Sequence, residues 1–284
     1  MIRTIVMLAC CLAIGAAEPA SRPTRDDGNW CVLSDDEVSL GAHHTRHAEV
    51  FGKYVDGYNL AVLRGIDLVQ QAALDGGGYF ANPKATPAES PIGYELKLFG
   101  HPLLDPPRPT SYCSGSSYAA FIEALNVILG PDATTKISPE RLEAMRMQEL
   151  DGGRREDGMK FWGHWNDDGF GSQFALVQYS GIGVEVKPNQ ARPGDFMNIS
   201  WKSGAGHSVV FLGWHKDASG NKSVLYWASQ KGTNGLGDQL ASLERIKEVK
   251  IVRLTAPEKL FTFDPATKVN RKVPGDSIDW NGAR

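Results

Sequence analysis

Residues 110–121 read Thr-Ser-Tyr-Cys-Ser-Gly-Ser-Ser-Tyr-Ala-Ala-Phe. Small polar residues give way within a turn to Tyr118, Phe121, Ile122, Leu125, Ile128 and Leu129, apolar at helical spacing, until Gly130-Pro131 stops the pattern. Thr110 or Ser111 supplies a cap, so Cys113 falls in the first turn of a buried helix. There it meets unpaired backbone N–H groups and the positive end of the helix dipole, both of which favour thiolate. That is a nucleophile's position, and equally a place for a disulfide cysteine.

The chain's first residues set the terms of that choice. MIRTIVMLACCLAIGAAEPA has Arg3, an apolar run from Ile5 to Ile14 and small residues at Gly15, Ala16 and Ala17, the layout of a secretory signal peptide over residues 1–17. The run is too short to span a bilayer, and no later segment approaches the ~20 apolar residues that spanning requires. The expectation is a protein exported to the periplasm, cell envelope or exterior, without a transmembrane segment. Cys10 after Met-Leu-Ala is only a weak lipoprotein-like box. Cys31 and Cys113 remain after the leader, and an oxidising compartment makes their pairing the competing expectation. A formal net charge of -3 argues against a nucleic-acid partner.

Working outward, residues 18–40 read as a polar tail. From about Ala48 to Leu74, Val50, Tyr54, Val55, Tyr58, Val62, Leu63, Ile66 and Val69 recur at helical spacing, as one long helix or two short ones ended by Gly76-Gly-Gly78. The Pro/Gly-rich stretch to Pro109 allows only a short strand, Tyr94 to Phe99. Arg141 to Leu150 and Ser172 to Tyr179 are expected to be helical. Strand patterns follow at Val184 to Val186, Phe196 to Trp201, Ser208 to Trp214, Ser223 to Trp227 and Lys247 to Leu254. Helices first and an antiparallel sheet after give an α+β fold: residues 41–284 form one domain, with a helical extension (41–108) and an insertion (about 130–181).

Pro193-Gly194-Asp195 turns the chain into one strand, and Ser203-Gly-Ala-Gly206 delivers His207 to the mouth of the next. Gly204 and Gly206 just before it leave the ring accessible. A symmetric hairpin pairing Trp214 with Ser223 places Gln230 opposite His207, while a slip of one brings Ser229 or Lys231. Cys-His nucleophilic catalysis needs a third polar group to orient the imidazole. Gln230 fills that role, with Asn234 or Ser229 as substitutes.

The order of these features resembles the NlpC-type cysteine peptidases of the papain-like superfamily, with their CHAP amidase relatives. The residues that carry it are Tyr112-Cys113-Ser114-Gly115, Arg192-Pro193-Gly194-Asp195-Phe196, Gly206-His207-Ser208-Val209-Val210-Phe211-Leu212-Gly213 and Tyr226-Trp227-Ala228-Ser229, within residues 110–232. The resemblance implies a papain-like fold, with the cysteine helix packed on the antiparallel sheet. It also implies hydrolysis of amide bonds in peptidoglycan peptides or a related substrate, with Cys113 as nucleophile and His207 as general base. Tyr112 stands where NlpC-type enzymes typically keep an aspartate that recognises a free amine, and Trp227 where they often keep a third-residue histidine. Tyr112, Ser114 and Trp227, with Trp165 in the insertion, are the expected substrate contacts. No metal or cofactor is expected.

Two alternatives compete: a non-catalytic papain-like binding module with a Cys31–Cys113 disulfide, and an acyltransferase using the same dyad. Other features read blandly. His43, His44 and His47 include an i, i+4 pair with metal-ligand spacing, but no carboxylate motif completes it, so a solvated helix start is expected. Asp167-Asp168 reads as hydrophilic loop, Gly76-Gly-Gly78 lacks the context of a phosphate loop, and His215 falls in an exposed hairpin loop.

Overall fold

The computed structural model of the chain describes residues 30–80, 91–103, 107–146, 176–267 and 274–280. In chain order these form a two-residue strand Val32–Leu33 (β1), helices His47–Phe51 (α1) and Tyr58–Ala73 (α2), and a small hairpin of Lys97–Leu98 (β2) and His101–Pro102 (β3). Helices Cys113–Leu129 (α3) and Pro139–Met145 (α4) follow. The second half is strands: Gly183–Val186 (β4), Phe196–Trp201 (β5), Gly206–Lys216 (β6), Lys222–Gln230 (β7), Gly235–Ser242 (β8) and Ile246–Leu254 (β9). The main sheet runs β4-β9-β5-β6-β7-β8, antiparallel except where β1 lies parallel against β6. The architecture is α+β with a mostly antiparallel sheet. No described helix is long and apolar enough to cross a membrane.

The strands are apolar on both faces, so both faces must be covered. One face, with Phe196, Val210, Leu212, Leu225, Trp227 and Val252, packs in the same core as α2 and α3. The other, with Met197, Val209, Phe211, Trp214, Tyr226 and Ile251, is closed by Trp30 and by Trp280 near the far end of the chain. Trp30 stacks on Trp280 at 5.5 Å between ring centroids and meets Trp214 edge-on at 5.4 Å. The expected polar tail is therefore part of the fold from Trp30 onward, because its Trp and the β1 backbone complete the second face.

α3 is buried on nearly all sides from Cys113 to Leu125, which is why its sequence is apolar or small throughout its first three turns. α2 lies close against it at Gly65, where an added Cβ would fall 2.4 Å from the Ala120 carbonyl oxygen. The Ala48–Leu74 pattern resolves into two helices because Gly57 takes φ 66° between them. The strand expected over Tyr94 to Phe99 shrinks to β2, since Phe99 (φ 49°) and Gly100 (φ 87°) turn the chain straight into β3. α4 ends at Met145, and Leu176–Ser180 is a single wide π-helical turn. Most of the insertion, with Trp162, Trp165, Asp167, Asp168 and Phe170, lies outside the described residues.

Candidate active site

Cys113 is the first residue of α3, and Tyr112, in extended conformation, precedes it without a side-chain cap. Ser111 does not cap the helix. Its backbone bridges Tyr79 and Ile92, and its Oγ shares a 2.6 Å hydrogen bond with Ser229 Oγ. The Phe80 N–H donates to the Ser111 carbonyl (2.9 Å) and the Ser111 N–H to that of Gly78 (3.0 Å), so the approach to the cysteine is an extended segment clamped by the glycine loop. Gly77 (φ 69°) has room only for hydrogen there, because a Cβ would sit 1.6 Å from the Pro109 carbonyl oxygen. The loop's role is to carry Tyr79 beside Tyr112, with ring centroids 5.6 Å apart.

Hydroxyls on α3 fix the cysteine against the two strands that carry its partners. Ser117 Oγ and Ser208 Oγ share a 2.7 Å bond, and Ser116 Oγ donates to the Cys113 carbonyl (2.9 Å) while accepting the Ser229 N–H (2.8 Å). Ser208 and Ser229 are the immediate neighbours of His207 and Gln230. The β6–β7 ladder runs to Val210↔Trp227. Beyond it the Ser208 N–H is hydrogen-bonded to the Cys113 sulfur, one residue from His207.

Across the parted strands, His207 Nε2 lies 3.2 Å from Gln230 Oε1, and the Gln230 Nε2 donates to the Gly237 carbonyl at 3.0 Å. Because the amide nitrogen is committed to a carbonyl, Oε1 is the atom that faces the ring and His207 must donate from Nε2. The Nδ1 lone pair is then the one able to take a proton. The pairing has an indirect origin. Trp214 pairs with Val224, not Ser223, and a bulge between Phe211 and Gly213 removes that one-residue slip before His207 is reached. Of the substitutes, Ser229 points to α3, and Asn234 is the left-handed (φ 50°) residue of the turn after β7.

The turn before β5 is locked by Asp195, which is fully buried. Its carboxylate accepts Arg253 Nε and Nη2 (both 2.7 Å), Asn59 Nδ2 (2.8 Å) and the Arg192 N–H (2.8 Å). A buried carboxylate is tolerated when paired and fully hydrogen-bonded in this way. The same turn holds β6 through the Gly194 N–H to the Phe211 carbonyl (2.9 Å) and the Phe211 N–H to that of Asp195 (2.8 Å).

The electrostatics depart from the expected thiolate. Burial pushes the Cys113 thiol above the usual cysteine range, against hydrogen bonds from the Ser208 N–H, the Tyr112 hydroxyl and first-turn N–H groups. Burial also draws His207 down to about 4, opposed by the Gln230 bond. The residue is half-buried, and its ring packs against Tyr226 (5.4 Å) and Trp201 (6.4 Å). Desolvation outweighs the helix dipole, so the resting pair is thiol and neutral imidazole. Tyr112 bonds through its hydroxyl to both the sulfur and Tyr79, and burial raises its pKa strongly; Tyr79 is held at about 12. Tyr79 was not foreseen from sequence; the glycine triplet in front of it was the available signal.

Other expectations are corrected. Cys31 and Cys113 form no disulfide. The Cys31 carbonyl accepts the Trp214 N–H (2.9 Å), and Trp214 is six residues along β6 from Ser208, about 20 Å away at strand spacing. A disulfide needs Cα atoms within about 7 Å. Trp227 is fully buried with Nε1 donating to Gln70 (3.1 Å), so it cannot touch substrate; Ser114 is likewise buried. His215 is not in an exposed loop but buried in β6, its Nε2 2.8 Å from Asp35.

His43 and His47 are not solvated either. Asp238 on β8 meets His43 Nδ1 (2.5 Å) and His47 Nε2 (2.9 Å), and Asp67 on α2 meets His47 Nδ1 (2.8 Å) and the N–H groups of His47 (2.8 Å) and Ala48 (3.0 Å). Burial opposes charge on His47, but the two carboxylates outweigh it and hold its pKa at about 9. Asp238, raised by burial, is lowered further by the two histidines. The partners lie 20 and 191 residues away, beyond the reach of any local pattern. No protein-family model, curated protein or solved structure matches the chain.

Proposed function

We propose that the chain is an exported cysteine hydrolase of papain-like, NlpC-related type that cleaves amide bonds in peptidoglycan stem peptides. The observation that carries the reading is the Gln230 amide, tied to Gly237 on one side and to His207 Nε2 on the other. It leaves the Nδ1 lone pair as the basic atom of a neutral imidazole, one residue from the N–H bonded to the thiol. In this mechanism His207 takes the thiol proton as the Cys113 sulfur attacks the substrate carbonyl carbon, and the oxyanion faces backbone N–H groups at the start of α3. The tetrahedral intermediate collapses with cleavage of C–N, and the proton passes from His207 to the departing amine. Water then attacks the thioester, His207 takes its proton, and the thiol returns as the acid leaves.

A neutral pair suits this sequence, since no charge needs to be buried before substrate arrives and the proton moves only as the bond forms. The test is incubation of purified peptidoglycan with wild type and Cys113→Ala, with released fragments weighed by mass spectrometry. Product from wild type alone, with masses that place the broken amide, is expected. Equal product from both proteins contradicts the reading. Fragments joined to an amine or alcohol acceptor instead of water identify acyl transfer.

A further inference from the structure

A second set of residues surrounds His207 and takes no part in these steps. Ser200 pairs with Glu248 but Trp201 pairs with Ile246, a bulge that skips Lys247 and re-aims the Trp201 side chain. The indole comes to lie beside the His207 ring, and the Arg245 guanidinium stands over it, 5.5 Å from the centroid. Arg245 is anchored through its backbone. It ends a turn in which Ser242 Oγ accepts the Glu244 N–H (3.3 Å), and its own carbonyl accepts the Lys202 N–H (2.9 Å).

The charge of Arg245 reaches into the site. Burial holds the Tyr226 phenol well above its ordinary range, Arg245 acts against that rise, and Cys113 acts on the same phenol. Tyr226 therefore stands within electrostatic range of both the guanidinium and the nucleophile. Among the described residues no carboxylate pairs with Arg245, or with Lys202 and Lys231, the residues that directly follow Trp201 and Gln230. In a chain of net charge -3, Arg245, over the indole beside His207, is a cation without an acid partner among the described residues. A guanidinium over an indole keeps its N–H groups available, and their fork suits bidentate binding of a carboxylate.

We propose that Arg245, on its Trp201 platform, recognises a free carboxylate of the substrate, so that the site takes peptides bearing a carboxylate close to the scissile amide. The proposal rests on the hydrolase reading and narrows its substrate class. Its test uses one peptidoglycan stem peptide in two forms, with free carboxylates and with the same carboxylates converted to amides. Wild type favours the acid form in kcat/KM by roughly tenfold to a hundredfold, the worth of a charge-assisted hydrogen-bonded contact. Arg245→Gln brings the ratio close to one through KM, and Arg245→Lys keeps part of it. A preference that survives in Arg245→Gln overturns the proposal. Calorimetric binding of both forms to Cys113→Ala, with and without Arg245→Gln, separates the two claims. If no Cys113-dependent cleavage occurs, an Arg245-dependent preference in binding still supports carboxylate recognition, and its absence overturns it.

Discussion

Two histidines in this protein rest in different charge states, one a cation and one neutral. His47, at the start of α1 between α2 and β8, sits with a carboxylate on each ring nitrogen and is held at about 9; His207, at the mouth of β6, has an amide on one nitrogen and is drawn to about 4. Burial acts on both in the same direction, disfavouring the cation. The partner decides the outcome: two anions overcome desolvation, and one neutral carbonyl does not. The same chemistry that makes His47 a structural cation would spoil His207 as a base, because a permanently protonated ring cannot take the thiol proton. The two sites are also joined, since Asp238, which holds His47, follows Gly237, whose carbonyl holds Gln230.

The strongest way to break the contrast is Asp238→Asn. It removes the anion shared by His43 and His47 from a buried setting, where loss of one partner costs about 3–5 kcal/mol. Urea denaturation at pH 7 should show that loss, and a change below about 1 kcal/mol would mean that the cluster is not charged.

The next effect is on the pH dependence of stability. His47 has a folded pKa above its unfolded value of about 6.5, so its contribution is complete below pH 6.5 and is lost as pH rises through about 9. His207 has a folded value below its unfolded one, so the folded state loses stability as pH falls from 6.5 towards about 4. Stability should peak near pH 6.5, with each limb on the order of 3 kcal/mol by proton linkage. Glu37, held at about 2, adds its loss only at lower pH. Asp238→Asn should shrink the alkaline limb and spare the acid one.

The smallest change sharpens the comparison by making one site resemble the other. Gln230→Glu places a carboxylate on His207 Nε2, and its pKa should rise by about one to two units. The acid limb of kcat/KM against stem peptide should move up by the same amount. An unmoved limb would show that His207 is not the base.

Legibility in the sequence divides along similar lines. The helix of Cys113, its stop at Gly130 and the five main strand patterns were readable because local periodicity and punctuation create them. The α+β class followed. β8 was missed because Gly235-Leu-Gly-Asp-Gln-Leu carries glycines and an acid where a strand usually shows β-branched residues, and it is held by pairing with β7 and by Asp238 buried against α1. The contact of His207 with Gln230 came from a symmetric count. Its starting pair, Trp214 with Ser223, was off by one, and the bulge near Leu212 compensated. The protonation of Cys113 was not readable, since the helix position that favours thiolate is visible in sequence and the burial that opposes it is not. His43 and His47 were placed in solvent for the same reason: their carboxylates arrive from α2 and β8.

Nitrogen-15 NMR titration of the histidine rings tests the central claim most directly, because it reads charge and tautomer at each ring. The account predicts that His207 stays neutral with its proton on Nε2 down to about pH 4, while His47 stays an imidazolium up to about pH 9. Both rings titrating together near pH 6.5, or His207 protonated at neutral pH, would contradict it.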